Sequence, residues 1–328
     1  MIVVTGGAGF IGSALVWKLN KMGMDKIIIV DELGNEDKWK NLNGLNYSDF
    51  FNKNDFMGLI LQRELPFKLS AIIHLGACSS TTEKDADFLM DNNVHYSQEL
   101  AKWCLEKGAR FIYASSAATY GNGLNGYKDD ETKIHELRPL NMYGYSKLLF
   151  DLWIKRNSLM DKVVGLKFFN VYGPNEYHKG DMSSIVFKAY NQVLETGKVK
   201  LFKSYKSEYK DGEQKRDFIY VKDAVDMTLH FLEHPEKNGI FNVGTGKSHT
   251  WIELVTALFN AAGKPVNIEY IDMPDDIRDK YQYFTEADMY KTKFIAGYNK
   301  PIADVNEGVT DYVKNYLMKD KYFGLSKA

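Results

Sequence analysis

Cysteine is scarce: Cys78 and Cys104 are the only two in 328 residues. Two thiols in a chain of this length do not make a disulfide scaffold, and the usage suits a reducing compartment. Net charge is also nearly absent, with 42 basic against 43 acidic residues. No global field then favours nucleic acid or an anionic membrane, and neither is expected as a partner. Long hydrophobic runs are missing. The longest, such as Ile27 to Val30, are far too short to cross a bilayer. Met1 leads straight into Ile2-Val3-Val4 with no basic leader, so the expected location is the cytoplasm. No metal centre is expected. No Pro/Ser linker, internal repeat or low-complexity tract divides the chain. A second lobe would have to be built from insertions that leave the first and re-enter it.

What is present is ordinary for a globular protein with a sizeable core: 45% apolar and 26% charged residues. Short apolar runs alternate with helical patterns. Ile2-Val3-Val4, Lys26 to Val30, Ala71 to Leu75, Arg110 to Ala114, Val163 to Phe168 and Gly239 to Gly244 read as strands. Helices are expected over Gly12 to Met22, Asn92 to Lys107, Tyr143 to Arg156, Met182 to Thr196, Asp223 to His234 and Trp251 to Ala262. Continuous apolar strands spaced by helices predict an α/β fold, a doubly wound parallel sheet of Rossmann type, with a smaller and discontinuous α/β substrate-binding lobe. The expected cofactor-binding part is about 1–170 plus 216–245, and the substrate lobe about 171–215 plus 246–328. Lys200 to Phe218, polar and basic, reads as a long loop or a hairpin.

The first strand ends in Thr5-Gly6-Gly7-Ala8-Gly9-Phe10-Ile11-Gly12, and a helix follows. This is the context in which a glycine-rich run binds a dinucleotide. Gly7 permits the tight turn, Gly9 lets the backbone approach a pyrophosphate, and Gly12 allows close packing of helix on strand. The helix N-terminus offers free N–H groups to the phosphates. Asp31 ends the second strand, where an acid can accept from ribose hydroxyls, as in NAD binding. Lys38 and Lys53 follow, and either could hold the 2′-phosphate of NADP. Asp31 and the lysines pull the cofactor choice in opposite directions.

Tyr143 and Lys147 stand at i and i+4, a spacing that shares one helix face. A free phenol is a poor base at neutral pH. A nearby ammonium and an oxidised nicotinamide favour the phenolate, so that Tyr143 could take an alcohol proton while hydride leaves. Ser115-Ser116, at the end of the Arg110 strand, supplies a hydroxyl for the substrate oxygen. Ser116, Tyr143 and Lys147 on successive elements of a dinucleotide fold make a coherent redox site.

With Asn170-Val171-Tyr172-Gly173-Pro174, these residues resemble the extended short-chain dehydrogenase/reductase superfamily over nearly the whole chain. Its 4,6-dehydratases carry an acidic pair after the equivalent serine; Ala117-Ala118 stand there, which makes dehydration unexpected. Gly76 to Glu83, Met90 to Asn93, Ala114 to Gly121, His178-Lys179-Gly180, Lys215 to Phe218 and Tyr281-Gln282 resemble in particular the superfamily's ADP-heptose 6-epimerases. The resemblance implies epimerisation at C6 of an ADP-glycero-manno-heptose through a transient 6-ketone. It implies a tightly held cofactor, NADP in preference to NAD, and a homo-oligomer, a homopentamer. Cofactor contacts are implied for Phe10, Ile11, Asp31, Glu32, Lys38, Lys53, Leu75, Gly76, Ala77, Cys78, Ser79, Asn92, Lys147, Val171 and Lys179, beside Gly6, Gly7, Gly9 and Gly12 of the loop. Cys78 is expected to act through its backbone. Tyr143 and Lys179 would be the two proton acceptors, because the ketone oxygen sits in two places, one per epimer, and a single group cannot reach both. Asn170, Phe202, Lys203, Ser204, Tyr205, Arg216 and Tyr281 would line the sugar-nucleotide site.

Three features depart from that pattern. The loop from Phe202 to Arg216 is longer than expected and carries Lys203, Lys206, Lys210, Lys215 and Arg216. It would be either a cationic lip over the ADP phosphates or a solvated hairpin. Asp181 stands where a smaller polar residue is expected, and Lys188 where a His is; both could still touch substrate. The rival readings are a UDP-hexose 4-epimerase and a dinucleotide-binding sensor without turnover. The second is disfavoured by the presence of both Tyr143 and Lys147.

Overall fold

The computed structural model describes residues 1–278 and 281–325. Among these residues twelve strands form in chain order: β1 (Ile2–Thr5), β2 (Ile27–Asp31), β3 (Asp49–Asn52), β4 (Ala71–His74), β5 (Arg110–Ser116), β6 (Val163–Phe168), β7 (Asn170–Tyr172), β8 (Val199–Phe202), β9 (Lys215–Tyr220), β10 (Gly239–Val243), β11 (Ser248–Thr250) and β12 (Ile268–Ile271). Seven of them make one sheet in the order β10-β6-β5-β4-β1-β2-β3, and every pairing in it is parallel. Ile2 lies opposite Ile27 on one side and Ala71 on the other. The winding therefore reverses at β1, between β2 and β4. In such sheets ligands bind outside the carboxyl ends of the strands at that switch point.

The predicted strands form because both sheet faces are covered. β2, β4, β6 and β10 are buried along their whole length. Val4, Ile29 and Ile73 pack on one face with Leu15 and Leu19 of the helix Phe10–Lys21. Their neighbours Val3, Ile28 and Ile72 pack on the other face with Phe56, Leu100, Trp103, Phe150 and Ile154. The strand period of two sends successive side chains to opposite faces. Burying one such Phe, Leu or Ile side chain contributes about 1.5–3 kcal/mol.

Several helix starts follow side-chain caps. Asn141 accepts from Gly144 N at 2.8 Å and opens Met142–Arg156. Thr250 and Glu253 form a reciprocal capping box that opens Trp251–Ala262. Ser184 caps Ile185–Thr196, which stops at Gly197 in the left-handed conformation.

Two small sheets lie outside the large one: β11-β9-β7, and β12 paired in parallel with β8. After β9 the chain forms the helix Val221–Glu233 and returns to the central sheet as β10. Apolar residues of Ile185–Thr196, Trp251–Ala262 and Val305–Asn315 continue the cluster that covers one face of the central sheet.

Two local expectations change. Lys200 to Phe218 is not a hairpin, because β8 and β9 belong to different sheets. Val199 and Leu201 alternate inward, and β8 finds its partner in β12, far along the chain. The strand β3 and the helix Lys53–Gln62 lie in a stretch where no element was expected. β3 is a four-residue edge strand, Asp-Phe-Phe-Asn, without a fully buried position, so no clean alternation marks it. Among the described residues no helix is long and apolar enough to cross a membrane.

Candidate active site

A cleft of about 910 Å³ opens at the carboxyl ends of β1, β2 and β4. Gly6, Asp31, Glu32, Lys38, Lys53, Gly76, Ala77, Cys78, Ser79, Asn92 and Lys179 all line it. The conformational demand in the glycine run falls on Gly6 rather than Gly7: Gly6 takes φ +68° and faces the backbone of Gly76, so that a Cβ there would lie 2.6 Å from Gly76 N. Gly7 is restricted instead by contact with Ile29. A Cβ on Gly12 would lie 2.0 Å from the carbonyl oxygen of Gly6. These close approaches set the helix Phe10–Lys21 against the strand end with room for a phosphate-bearing ligand, so the residues fit a dinucleotide.

The two sides of the cofactor choice meet at one end of this cleft. Asp31 Oδ2 accepts from Ala8 N in the glycine run at 2.8 Å. Asp31 Oδ1 accepts from Glu32 N at 2.7 Å and from Lys38 Nζ at 2.5 Å. Lys53 Nζ pairs with Glu32 at 2.7 Å and donates to Asn92 Oδ1 at 3.2 Å. The Lys53 ammonium holds the Glu32 carboxyl below its usual range. Cys78 has both backbone polar groups on Asn93: its N–H donates to Oδ1 at 2.9 Å and its carbonyl accepts from Nδ2 at 3.0 Å.

A second cavity of about 630 Å³ adjoins the cleft and shares Ser79, Lys179 and Met182 with it. Phe10, Ile11, Ser116, Tyr143, Asn170, Val171, Lys188, Phe202 and Tyr281 are among its walls. Ser116 ends β5, and its hydroxyl accepts from Ala118 N at 3.1 Å. Tyr143 enters from the first turn of Met142–Arg156. One turn on, Lys147 Nζ donates to Ala114 O at 3.0 Å. Burial pushes the Tyr143 phenol above its ordinary value, and the neighbouring Ser116 hydroxyl opposes that shift. Burial also pulls Lys147 down to about 8, against the pull of Asp151. The protein alone therefore holds Tyr143 as a phenol; the expected lowering is not produced by Lys147 in this arrangement.

Lys179 reaches both cavities from the turn Tyr177–Met182. Its ammonium lies 5.6 Å from the centre of the Phe10 ring. Burial lowers its pKa, with Glu176 opposing, so its neutral amine is easier to reach than that of a surface lysine. The turn is anchored by two residues that spacing alone did not single out. Asn175 Nδ2 donates to Ser13 Oγ at 2.9 Å, tying the turn to the glycine-loop helix. Glu176 accepts from Ser184 N at 2.5 Å and Ser184 Oγ at 2.7 Å.

Other expected substrate residues lie elsewhere. Asp181 lines the cofactor cleft rather than the second cavity, and its carbonyl accepts from Lys188 Nζ at 2.5 Å. Lys203 pairs with Asp272 at 3.2 Å, and Tyr205 packs under the Arg278 guanidinium, 4.0 Å from its ring centre. Ser204 N donates to Asp211 Oδ1 at 2.7 Å. These three stand outside the cavity lining. Arg216 is buried behind the wall: its guanidinium packs 5.6 Å from the Trp251 ring and 5.2 Å from the Tyr281 ring and donates to the carbonyl of Gln282. Trp251, a cavity wall not expected from sequence, donates to the Tyr281 hydroxyl at 2.9 Å. Gly7, Gly9, Gly12, Leu75 and Lys147 support these surfaces without lining either cavity. Among the described residues no group of His, Cys, Asp and Glu is arranged to hold a metal ion.

A cofactor cleft beside a cavity that presents Ser116, Tyr143 and Lys179, with Lys147 buried one turn behind Tyr143, suits reversible redox on an alcohol. Residues 2–244 match the NAD dependent epimerase/dehydratase family. The chain belongs to that family. It is 56% identical to the ADP-L-glycero-D-manno-heptose-6-epimerase of Nitratidesulfovibrio vulgaris, over 97% of this chain and 98% of that one. The crystal structure of the Helicobacter pylori ADP-L-glycero-D-manno-heptose-6-epimerase superposes with a TM-score of 0.78 at 29% identity, covering 96% of this chain and 95% of that one. The Thermotoga maritima UDP-glucose 4-epimerase superposes with a TM-score of 0.80 at 27% identity, covering 97% and 99%. The fold therefore does not separate the two kinds of epimerase, whereas the 56% identity sets this chain beside the first. The epimerase is distinguished from a dehydratase by the short helix Ala117–Tyr120, where Ala117 and Ala118 offer no acid or base.

Proposed function

We propose that this epimerase inverts C6 of ADP-glycero-manno-heptose, converting the D-glycero to the L-glycero epimer through a transient 6-ketone. The observation that carries the reading is that Tyr143 and Lys179, from different parts of the fold, face one cavity beside the cofactor cleft. When bound, the dinucleotide supplies a reversible hydride acceptor. The chain's own residues handle the proton and the orientation. Ser116 donates a hydrogen bond to the substrate oxygen. Tyr143 accepts the hydroxyl proton as one epimer is oxidised, Lys179 gives a proton to the oxygen as the ketone is reduced to the other epimer, and a proton passes back from Tyr143 to Lys179 before the next turnover; the reverse reaction swaps the two roles. The enclosing walls of Phe202, Trp251 and Tyr281 keep water from the ketone and leave it room to turn between the two positions. Incubation with the ADP-D-glycero epimer and catalytic cofactor is expected to convert it to the L-glycero epimer, followed by NMR of C6. Conversion of UDP-galactose and not of ADP-heptose would sink the reading in favour of a 4-epimerase.

The cofactor in this reading is NADP. Both oxygens of Asp31 are already committed, to Ala8 N, Glu32 N and Lys38. That favours a phosphate between the two lysines over a ribose diol on the acid. Lys38→Ala is expected to weaken NADP binding about tenfold, about 1.4 kcal/mol, and to leave NAD binding nearly unchanged. Calorimetric titration with both nucleotides checks it; equal losses for the two would assign Lys38 to the fold rather than to the 2′-phosphate.

A further inference from the structure

Beneath the cavity lies a charged pair that neither the cofactor nor the substrate reading uses. Asp151 is fully buried, and Lys167, on the otherwise apolar strand β6, is 2% exposed. Lys167 Nζ meets Asp151 Oδ2 at 2.8 Å. The same Oδ2 accepts from Ser115 Oγ at 2.7 Å, and Oδ1 accepts from the Tyr113 hydroxyl at 2.9 Å. Lys167 also donates to Thr119 Oγ1 at 2.7 Å, whose own hydroxyl donates to the carbonyl of Ser116 at 2.7 Å.

Placement gives this pair its meaning. Tyr143, Lys147 and Asp151 follow one another at four-residue steps on one helix, Met142–Arg156, and so share a face. Lys147 binds the carbonyl of Ala114, and Asp151 binds the side chains of Tyr113 and Ser115 on either side of it. The next residue of the strand is Ser116. One helix face thus holds three consecutive residues of β5, and Lys167 holds the fourth through Thr119. A buried ion pair costs more to desolvate than an apolar pair of the same size, so a purely mechanical clamp would not need charge here.

We infer that Asp151, balanced by Lys167, is a positioning residue for the proton-handling groups: it fixes the end of β5 that carries Ser116 and keeps Lys147 charged beside Tyr143. This rests on the redox reading of the same site. The groups that face Lys147 and Asp151 come from several elements. They are Tyr143 on the same helix, Tyr113 and Ser115 on β5, Tyr120 of the short helix Ala117–Tyr120, Lys167 on β6, His74 on β4, and the Cys78 thiol. His74 is neutral, since burial first and the Lys147 charge second bring it down to about 3. Glu131 acts on Tyr113 from further away. Asp151 is therefore the carboxylate that offsets the desolvation of Lys147, which has already fallen to about 8.

The sign follows directly. Removing the carboxylate lowers the Lys147 pKa further, so the ammonium is lost at a lower pH. In Asp151→Asn the alkaline limb of the kcat profile is expected to move down by about one pH unit, with the loss growing from slight at pH 6.5 to about tenfold at pH 8.5. Epsilon-carbon NMR of isotope-labelled lysine, assigned with Lys147→Arg, reads the same shift on the protein without substrate. That titration stays informative even if the wild type proves inactive on ADP-heptose, which separates failure here from failure of the proposed substrate. The double variant Asp151→Asn/Lys167→Met removes both charges and guards against a fold upset by an unpaired buried lysine. Its Lys147 titration is expected to stay below that of wild type, because the carboxylate that raises it is gone in both variants. A pH-independent loss of activity with an unmoved Lys147 titration in Asp151→Asn would reduce Asp151 to a structural role and overturn the inference. A double variant whose Lys147 titrates as in wild type would overturn it as well, since the shift in the single variant would then come from the unpaired Lys167 and not from the lost carboxylate.

Discussion

Tyr143→Phe is expected to lower the rate of epimerisation about 10²–10⁴-fold, the range lost when a positioned proton-transfer group is removed. The ring is half-buried in the cavity wall, and Phe keeps its packing, so cofactor binding and stability are expected to stay close to wild type. The loss is in chemistry because the phenol oxygen is the only atom removed. Burial holds that phenol above its ordinary pKa, so its activity as a base depends on positive charge brought into the cavity with the oxidised cofactor. The variant separates the two halves of the reaction. In single-turnover experiments with each pure epimer, only the epimer whose oxygen faces Lys179 should still generate the absorbance of reduced nicotinamide. Wild-type turnover in this variant would remove Tyr143 from the mechanism.

Lys179→Met should cost epimerisation about as much, again roughly 10²–10⁴-fold, with the opposite pattern of half-reactions. Met preserves the length and apolar stem of the side chain and removes the amine. The epimer that still reduces the cofactor should now be the one served by Tyr143. If the two variants retained the same half-reaction, the two-base scheme would fail even with both rates reduced. Glu176 and Asn175 hold the turn in place independently of the Lys179 amine, so a stable fold is expected and the result reports on chemistry.

Much of the site was legible because its spacing is local. The glycine run, the i, i+4 pair of Tyr143 and Lys147, and Ser116 at a strand end are defined by backbone geometry over a few residues. Six of the seven strands of the parallel sheet followed from the same kind of signal, since strands buried on both faces are nearly continuous apolar runs. Other features carried no local mark. β3 is short and lies at the sheet edge, where pairing substitutes for an alternating pattern. β8 was obscured by the basic loop after it and finds its partner only at β12. Arg216 and Tyr205 were expected at the substrate; the tertiary structure instead pairs each with neighbouring aromatic or charged groups behind or outside the wall.

The sequence by itself marked the turn from β1 into its helix as a dinucleotide site and drew Ser116, Tyr143 and Lys147 together as a candidate redox site. Helix and strand periods are properties of the chain alone, so residues a few positions apart have fixed relative directions whatever surrounds them. Only the tertiary structure decided that Lys38 grips Asp31, that Lys179 reaches the same cavity as Tyr143, and that Lys167 is buried against Asp151. Those pairings join elements distant in sequence. Which charges meet depends on the side of the sheet each element covers and on the water it excludes, and neither is written in local spacing.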